Sequence, residues 1–446
     1  MSCDILNLEW SSSGRDREAA TLICNALRRK GYKVIEASIF NYQYYLMKYR
    51  PRLFYAADPK GASINYRAVK FAHHIGVPVV SLTAEGNYTL EALEAMFWGH
   101  IADRELLEQL NLQWSSRARN LVLKLDASLA DQVKVAGGVG FDRYRIYQFY
   151  KKEDWMRKYH LDYPHMVGYA GWGFDACYRE KEARQMEKVY GQEQVELFRQ
   201  ERVQVNEILK KLIKQNKDTL FLLKEHPGVT DPSKSELVGL KHYPNVLYIK
   251  NEEAIADCLS GCDVWMTFES TTCLEAWLLD KPTIVINPLS RSFIRSSVHK
   301  GCVILRNCEA VQKCLTVHFK SGSIPEFEAK EDARRHVIEE TIQWTDGKNH
   351  LRAAYWFEKV LAESPRSNMH IGIRDMLKAF WQNILFGGAR YLPFLPKFRA
   401  YAQARQRFRR SELEELTRRY KPYLDAFDQN NPLTEQDIEE LERMNQ

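Results

Sequence analysis

Several short polar segments of this 446-residue chain carry side chains that could handle a phosphate, a ribose hydroxyl or a proton. Lys224-Glu225-His226-Pro227 places an imidazole, whose ring N–H can donate to a phosphate or carboxylate, beside a proline that restricts the backbone. Ser270, Thr271 and Thr272 offer three successive hydroxyls that can cap a helix and bind an anion beside its N–H groups. Glu275 lies further in, where it could reach a ribose. Near the start, Ser11-Ser12-Ser13-Gly14 could cradle an anion on the backbone N–H groups around Ser13 and Gly14. It lacks both the dinucleotide-binding glycine spacing and the Walker lysine. Each segment also reads as an ordinary cap or turn, so what matters is whether the fold gathers them.

The elements needed to gather them are present in the pattern. Residues 5–8, 33–37, 52–56 and 77–82 form short apolar runs, alternating with helical stretches at 17–30 and 65–74 that Gly31 and Gly76 close. A long polar helical region at 180–217 precedes four more apolar runs, at 219–223, 246–249, 264–267 and 283–286. This rhythm predicts two doubly wound α/β domains. In such sheets ligands collect at the C-terminal ends of the strands, and those ends fall at residues 11–16, 83–87, 224–228 and 268–272. The expected domains are 1–175, 176–364 and a helical extension at 365–446, with the helix-like stretch 349–361 either closing the second domain or crossing back to the first.

Composition supports large apolar cores: 45% of residues are hydrophobic and 27% charged, which excludes a mostly disordered chain and a disulfide-stapled miniprotein. Nine cysteines are scattered without paired CxxC knuckles, and they are expected to be buried thiols. Adjacent His73 and His74 project differently on a helix, and no His, Asp or Glu cluster has zinc spacing, so no metal site is expected. Without a secretory signal at the first residues or an apolar run long enough to span a bilayer, the expected location is the cytoplasm.

Taken together, His226-Pro227, the Ser270-Thr271-Thr272 element with Glu275-Ala276 and Lys281-Pro282, and Ala84-Glu85-Gly86 resemble bacterial surface-carbohydrate, capsule-type glycosyltransferases of GT-B form. Families related to CMP-Kdo transferases and polysialyltransferases are included. The 44-residue interval from His226 to Ser270 and the order of the elements carry the resemblance across roughly residues 1–360. Val135-Ala136-Gly137-Gly138-Val139-Gly140-Phe141-Asp142 and Trp344-Thr345-Asp346-Gly347-Lys348 are similar to glycine turns of that superfamily, and both also read as structural turns.

The resemblance implies two Rossmann-like domains facing a cleft. The second would hold the phosphate of a nucleotide-sugar donor through Lys224, His226, Pro227 and residues 270–272. The first would supply Glu85 as the base that deprotonates an acceptor hydroxyl, with Asp16 as the second candidate. It implies a metal-independent transferase without a cofactor, using a CMP-linked donor and a surface-glycan or lipid-linked acceptor. UDP-sugar transfer or epimerisation and transfer from a CDP-glycerol-type donor are the enzyme alternatives.

Residues 387–410 contain seven Lys or Arg, no Asp or Glu, and five interleaved aromatics, with Phe380, Trp381, Ile384, Leu385 and Phe386 just upstream. This composition suits an anionic membrane surface at the inner face of the cell membrane. Domain packing or an oligomer contact is the simpler alternative. A noncatalytic nucleic-acid or assembly protein is a third, although no RRM, zinc-finger or helix-turn-helix pattern frames the basic residues.

Overall fold

The computed structural model describes residues 2–446 except 11–14, 59–62, 84, 91–92, 100–103, 294–295 and 365–368; of residues 15, 296, 297 and 416 it describes the backbone only. Ser13, Gly14 and Ala84 therefore lie outside the described residues. The chain divides into two units, residues 1–147 with 339–446, and residues 148–338.

The first unit contains a parallel sheet of β1 (Ile5–Glu9), β2 (Val34–Ser38), β3 (Leu53–Ala57), β4 (Val79–Leu82), β5 (Leu110–Gln113) and β6 (Val133–Val135), in the order β2-β1-β3-β4-β5-β6. The second contains β7 (His165–Ala170), β8 (Thr219–Lys224), β9 (Val246–Ile249), β10 (Val264–Thr267), β11 (Thr283–Ile286) and β12 (Val303–Leu305), ordered β12-β11-β10-β7-β8-β9. Both are Rossmann-like, so the chain has the GT-B-like architecture of two α/β units with a helical C-terminal extension, as expected. Most strands of both sheets carry apolar side chains on both faces, which is the pattern of a sheet covered by helices on each side.

Four strands hid from the periodicity: β5, β6, β7 and β12. β5 (Leu-Asn-Leu-Gln) alternates like a half-exposed strand, yet Asn111 and Gln113 are fully buried. They bond to one another and to the end of β4: Asn111 Nδ2 donates to Ser81 Oγ (2.8 Å), Gln113 Nε2 to Thr83 Oγ1 (3.0 Å) and to Asn111 Oδ1 (2.5 Å). β7 carries Gly168, where an added Cβ would lie 2.2 Å from the Trp265 ring of β10, so the glycine is required by close packing. β7 precedes the boundary expected at residue 175 but pairs with β8 and β10 in the second sheet.

The helix Asn349–Glu363 crosses back to the first unit, where Phe357 meets Tyr55 edge-on (4.9 Å) and Trp356 Nε1 donates to Val135 O (3.1 Å). The two glycine turns meet here as structural features. Gly137 adopts φ +90°, and an added Cβ would clash with Asn349, whose Nδ2 donates to Asp142 Oδ1 (2.8 Å). Gly347, at φ +80°, lets the chain pass against Phe427 and Arg145. At the chain's end, the Asn445 side chain accepts from Val135 N (2.6 Å) and donates to Val135 O (3.3 Å), pairing with the exposed edge of β6 like one further strand residue.

His350 anchors this return. Its Nδ1 lies 2.8 Å from Asp142 Oδ2 and its Nε2 2.8 Å from Asp428 Oδ1, with all three side chains buried. Burial alone would lower its pKa, but the two carboxylates outweigh it and hold the imidazolium up to about 9. A histidine whose folded pKa is raised stabilises fully below its unfolded value and loses that contribution as pH rises through the folded value. Asp142 is itself pushed upward by burial, only partly offset by His350, which trims the net effect. We expect the native protein to lose roughly 1–3 kcal/mol between pH 6.5 and 9.5 through this site. His350→Gln should show a correspondingly flatter dependence of Tm on pH, and parallel curves for the two proteins would refute the assignment.

Candidate functional site

In the second sheet the chain leaves β7 for β8 and β9 on one side, then returns to β10, β11 and β12 on the other. The loops after β7, β8 and β10 therefore part around a switch point at the C-terminal edge, where an open α/β sheet offers its crevice. His226 follows β8 and Ser270 follows β10, so the two stand on strands flanking β7, about two strand spacings or roughly 10 Å apart along one edge.

Buried carboxylates shape the His226 loop. Asp175, fully buried after β7, accepts from Thr230 N (2.9 Å), Thr230 Oγ1 (3.1 Å) and Asp231 N (3.2 Å), and pairs with Arg179 Nε (3.3 Å). Glu225 accepts from Ser235 Oγ (3.0 Å), Tyr248 OH (3.0 Å) and His226 N (3.2 Å). Burial raises its pKa against those bonds. Glu236 accepts from Trp172 N (2.6 Å) and Tyr169 OH (3.2 Å) and is pushed up to about 8 by burial, so it retains its proton at neutral pH.

Within this frame Gly228 N–H donates to His226 Nδ1 (3.1 Å). The neutral ring must then carry its hydrogen on Nε2, which is left as a donor. Desolvation by the packed loop lowers the His226 pKa, Lys224 acts in the same sense, and Asp175 opposes. The residue as a whole is nevertheless exposed to solvent, and the Gly228 bond favours the neutral form independently. His226 is thus a fixed, uncharged N–H donor at pH 7.

Glycines line this ring: an added Cβ would stand 3.1 Å from His226 Nδ1 at Gly228, 3.5 Å at Gly173, and 3.0 Å from Lys224 O at Gly171. We expect Gly228→Ala to displace the ring with little change in Tm, seen as shifted His226 imidazole resonances by NMR. Unchanged resonances would show that the ring tolerates the added methyl.

At the β10 end the helix Thr272–Trp277 is only six residues long. The expected capping is internal to the turn: Ser270 Oγ accepts from Thr272 N (3.2 Å) and Thr272 Oγ1 (3.0 Å), and Thr272 Oγ1 accepts from Trp265 Nε1 (3.1 Å). With its oxygen accepting twice, Ser270 has its own hydroxyl hydrogen uncommitted among the described residues. Thr271 is half-buried beside it, and Glu275 is buried within the helix. Lys224 is directed elsewhere, its ammonium on the Lys250 carbonyl and its pKa lowered by desolvation, while Pro227 is exposed.

One group escaped the sequence entirely. Arg291, after β11, donates from Nε to Glu201 Oε2 (2.7 Å) and from Nη1 to Glu269 Oε1 (2.7 Å), with side-chain exposures of 7%, 0% and 4%. Its guanidinium lies over Phe198 (4.7 Å) and Phe268 (5.3 Å), which join Trp172 and Phe174 in an aromatic floor. Arg291 Nη2 is buried with no described partner. Asp175, Glu236 and Arg291 sit in no motif; the only signal nearby was that Asp175 and Arg291 follow the ends of β7 and β11.

Spacing concealed one group of potential metal ligands. Among the described residues, Cys273, His299 and Cys302 are all buried and offer ligand atoms within 4.8 Å of one another. Both sulfurs already have protein partners: Cys273 Sγ donates to Ser270 O (3.2 Å) and Thr283 Oγ1 donates to Cys302 Sγ (3.4 Å).

In the first unit Glu85 is half-buried after β4. The following Gly86 is fixed by Trp114, whose ring would lie 2.4 Å from an added Cβ and whose Nε1 donates to Thr83 O (2.7 Å). Asp16 is exposed in the first turn of the helix Arg15–Arg29. Glu9, at the end of β1, was not anticipated: burial pushes its pKa to about 8 against Arg17, which lies 3.9 Å away.

No family model and no curated protein matches this chain. Solved structures do. S. aureus MnaA in a co-structure with UDP shares 13% identity, with coverage of 83% of this chain and 100% of that one and a TM-score of 0.52. The UDP-GlcNAc 2-epimerase from Neisseria meningitidis bound to UDP-GlcNAc shares 11%, covering 81% and 100%, with a TM-score of 0.50. The wall teichoic acid polymerase TagF with CDPG shares 10%, covering 81% and 89%, at 0.50. At such identities these likenesses establish the two-sheet, GT-B-like fold.

Proposed function

We propose that this protein is an enzyme acting on a sugar linked to a nucleoside diphosphate, UDP in the first instance, and that the second unit holds the nucleotide. The observation that carries this is the pair of uncharged donors at one sheet edge, His226 Nε2–H and the free Ser270 hydroxyl. Donors preorganised in this way stabilise the charge that develops on a departing phosphate oxygen without having to change protonation. Arg291 Nη2 is a third, cationic donor attached to the same region. Thr271, Thr272 and Glu275 complete the turn, and Glu275 is the candidate for the ribose.

The nucleotides named with the structural relatives are UDP, UDP-GlcNAc and CDPG. They favour a diphosphate-linked donor over the CMP-linked donor suggested by sequence resemblance. Glu85 is the proposed base, taking a proton from the group that attacks or rearranges at the sugar. Asp16 is the alternative within the same unit. The acceptor in a transfer reaction would be a saccharide or lipid-linked glycan. Epimerisation of the UDP-sugar is the second reading, supported by the structural likeness to the N. meningitidis epimerase.

A product-mass and NMR screen of UDP-, CDP- and CMP-linked sugars, run with and without saccharide and lipid-linked acceptors, separates these readings. UDP release that requires an acceptor identifies transfer, and a new UDP-sugar epimer without acceptor identifies epimerisation. Turnover confined to CMP-sugars would overturn the diphosphate assignment. Failure of UDP, CDP and UDP-sugars to bind at all would overturn the site.

A further inference from the structure

The helix Ile373–Gly388, in the first unit, is packed with its polar side inward. Asp375, Gln382 and Asn383 face the protein: Asp375 Oδ2 lies 3.3 Å from His74 Nε2, Gln382 Oε1 accepts from Gln43 N (2.9 Å), and Asn383 Oδ1 accepts from Asn41 Nδ2 (3.0 Å). Ala379 and Phe386 complete that buried side.

The opposite face is apolar and open. Ile373, Met376, Leu377, Phe380, Trp381 and Ile384 are 40–73% exposed. At 100° per residue they fill one continuous arc of about 140°. A surface helix normally does the reverse, turning such an arc into the core and leaving amide and carboxylate side chains in water. The apolar surface continues past the helix, where Tyr391 and Phe394 are both 74% exposed. A contiguous apolar surface of this kind marks an interaction site.

Charge identifies the partner. Between residues 372 and 410, Asp375 is the single carboxylate and it is turned inward, whereas nine residues are Lys or Arg. Not all nine are available: Arg409 and Arg410 pair with Glu412 and Glu414, and Arg405 covers Phe386. Arg374 and Lys378 are exposed beside the arc, and Arg390, Lys397 and Arg399 are exposed around Tyr391 and Phe394. An apolar arc bordered by cations and free of outward anions complements a bilayer whose acyl boundary lies beneath anionic headgroups. No helix among the described residues is long and apolar enough to cross a membrane, and a 16-residue helix about 24 Å long suits a position in the plane of the interface.

We propose that the outward face of the helix Ile373–Gly388, continued by Tyr391 and Phe394, docks on an anionic lipid surface. The proposal rests on the first unit alone and is independent of the sugar-nucleotide assignment.

The full chain is tested by co-sedimentation with vesicles of phosphatidylcholine, with and without phosphatidylglycerol, at low and high salt, alongside its mass by light scattering. The parent protein should bind the anionic vesicles about tenfold or more tightly than the neutral ones, with the preference shrinking in high salt. Phe380→Ser with Trp381→Ser should abolish binding while Tm is kept, since both side chains already face solvent. Lys378→Glu with Lys397→Glu should remove the anionic preference. Absence of vesicle binding by the parent protein, or binding unaffected by either pair of substitutions, overturns the proposal. So does a dimer that the Phe380 and Trp381 substitutions convert to monomer without any lipid binding, because the face would then be covered by a second copy.

Discussion

His226→Ala is expected to lower turnover of the nucleotide-linked sugar about 100- to 1,000-fold, the usual cost of removing one preorganised donor from a developing oxyanion. The loss should appear largely in kcat, because the Nε2–H contact strengthens as charge moves onto the leaving phosphate. The ring is held neutral by desolvation and by the Gly228 amide on Nδ1, so His226→Asn, which retains an N–H, should recover part of the activity. Glu85→Gln is the companion measurement: as the proposed base it should cost about 100- to 10,000-fold in turnover while UDP affinity by calorimetry stays close to that of the parent. If both folded variants turn over donor at the parent rate, the residue roles are wrong even though the fold stands. If Glu85→Gln alone is unimpaired, the same test moves to Asp16, which is exposed in the first turn of its helix.

What the sequence disclosed about this site and what it concealed have separate physical origins. The strand ends were legible because buried parallel strands are short apolar runs, and a polar cluster after each such run marks the edge where ligands collect in open α/β sheets. That placed His226 and Ser270 on one sheet edge correctly. The tautomer of His226 was not legible, since it depends on a backbone amide two residues on in a loop that Asp175 holds from 55 residues away. Lys224 followed the same strand as His226, but its ammonium is bonded to the Lys250 carbonyl, a detail that no spacing encodes. The helix Ile373–Gly388 marks the limit of periodicity more sharply. Its apolar arc is the pattern of a core-facing helix, and only the partners of Asp375, Gln382 and Asn383 reveal that it is turned outward.

Arg291→Met should destabilise the second unit by about 3–5 kcal/mol, because it leaves two buried carboxylates without their cation. Glu201 bears the larger share. It is fully buried, burial already raises its pKa, and the Arg291 bond is the principal opposing influence. Without Arg291, Glu201 should take up a proton. A buried acid whose folded pKa lies above its unfolded value is more stable at low pH. The deficit in Tm should therefore narrow as the pH is lowered.

Combining Arg291→Met with Glu201→Gln and Glu269→Gln should restore most of the stability, since a neutral, packed triad avoids the desolvation of three charges and methionine still fills the space over Phe198 and Phe268. Function should separate from stability in this series. Glu269 immediately precedes Ser270, so the ion pair also positions the turn that carries the free hydroxyl. A stable triple variant that still binds UDP weakly would assign Arg291 to positioning and to the nucleotide itself. A triple variant that binds as the parent does would confine Arg291 to holding the helix Gln192–Gln215 against the sheet.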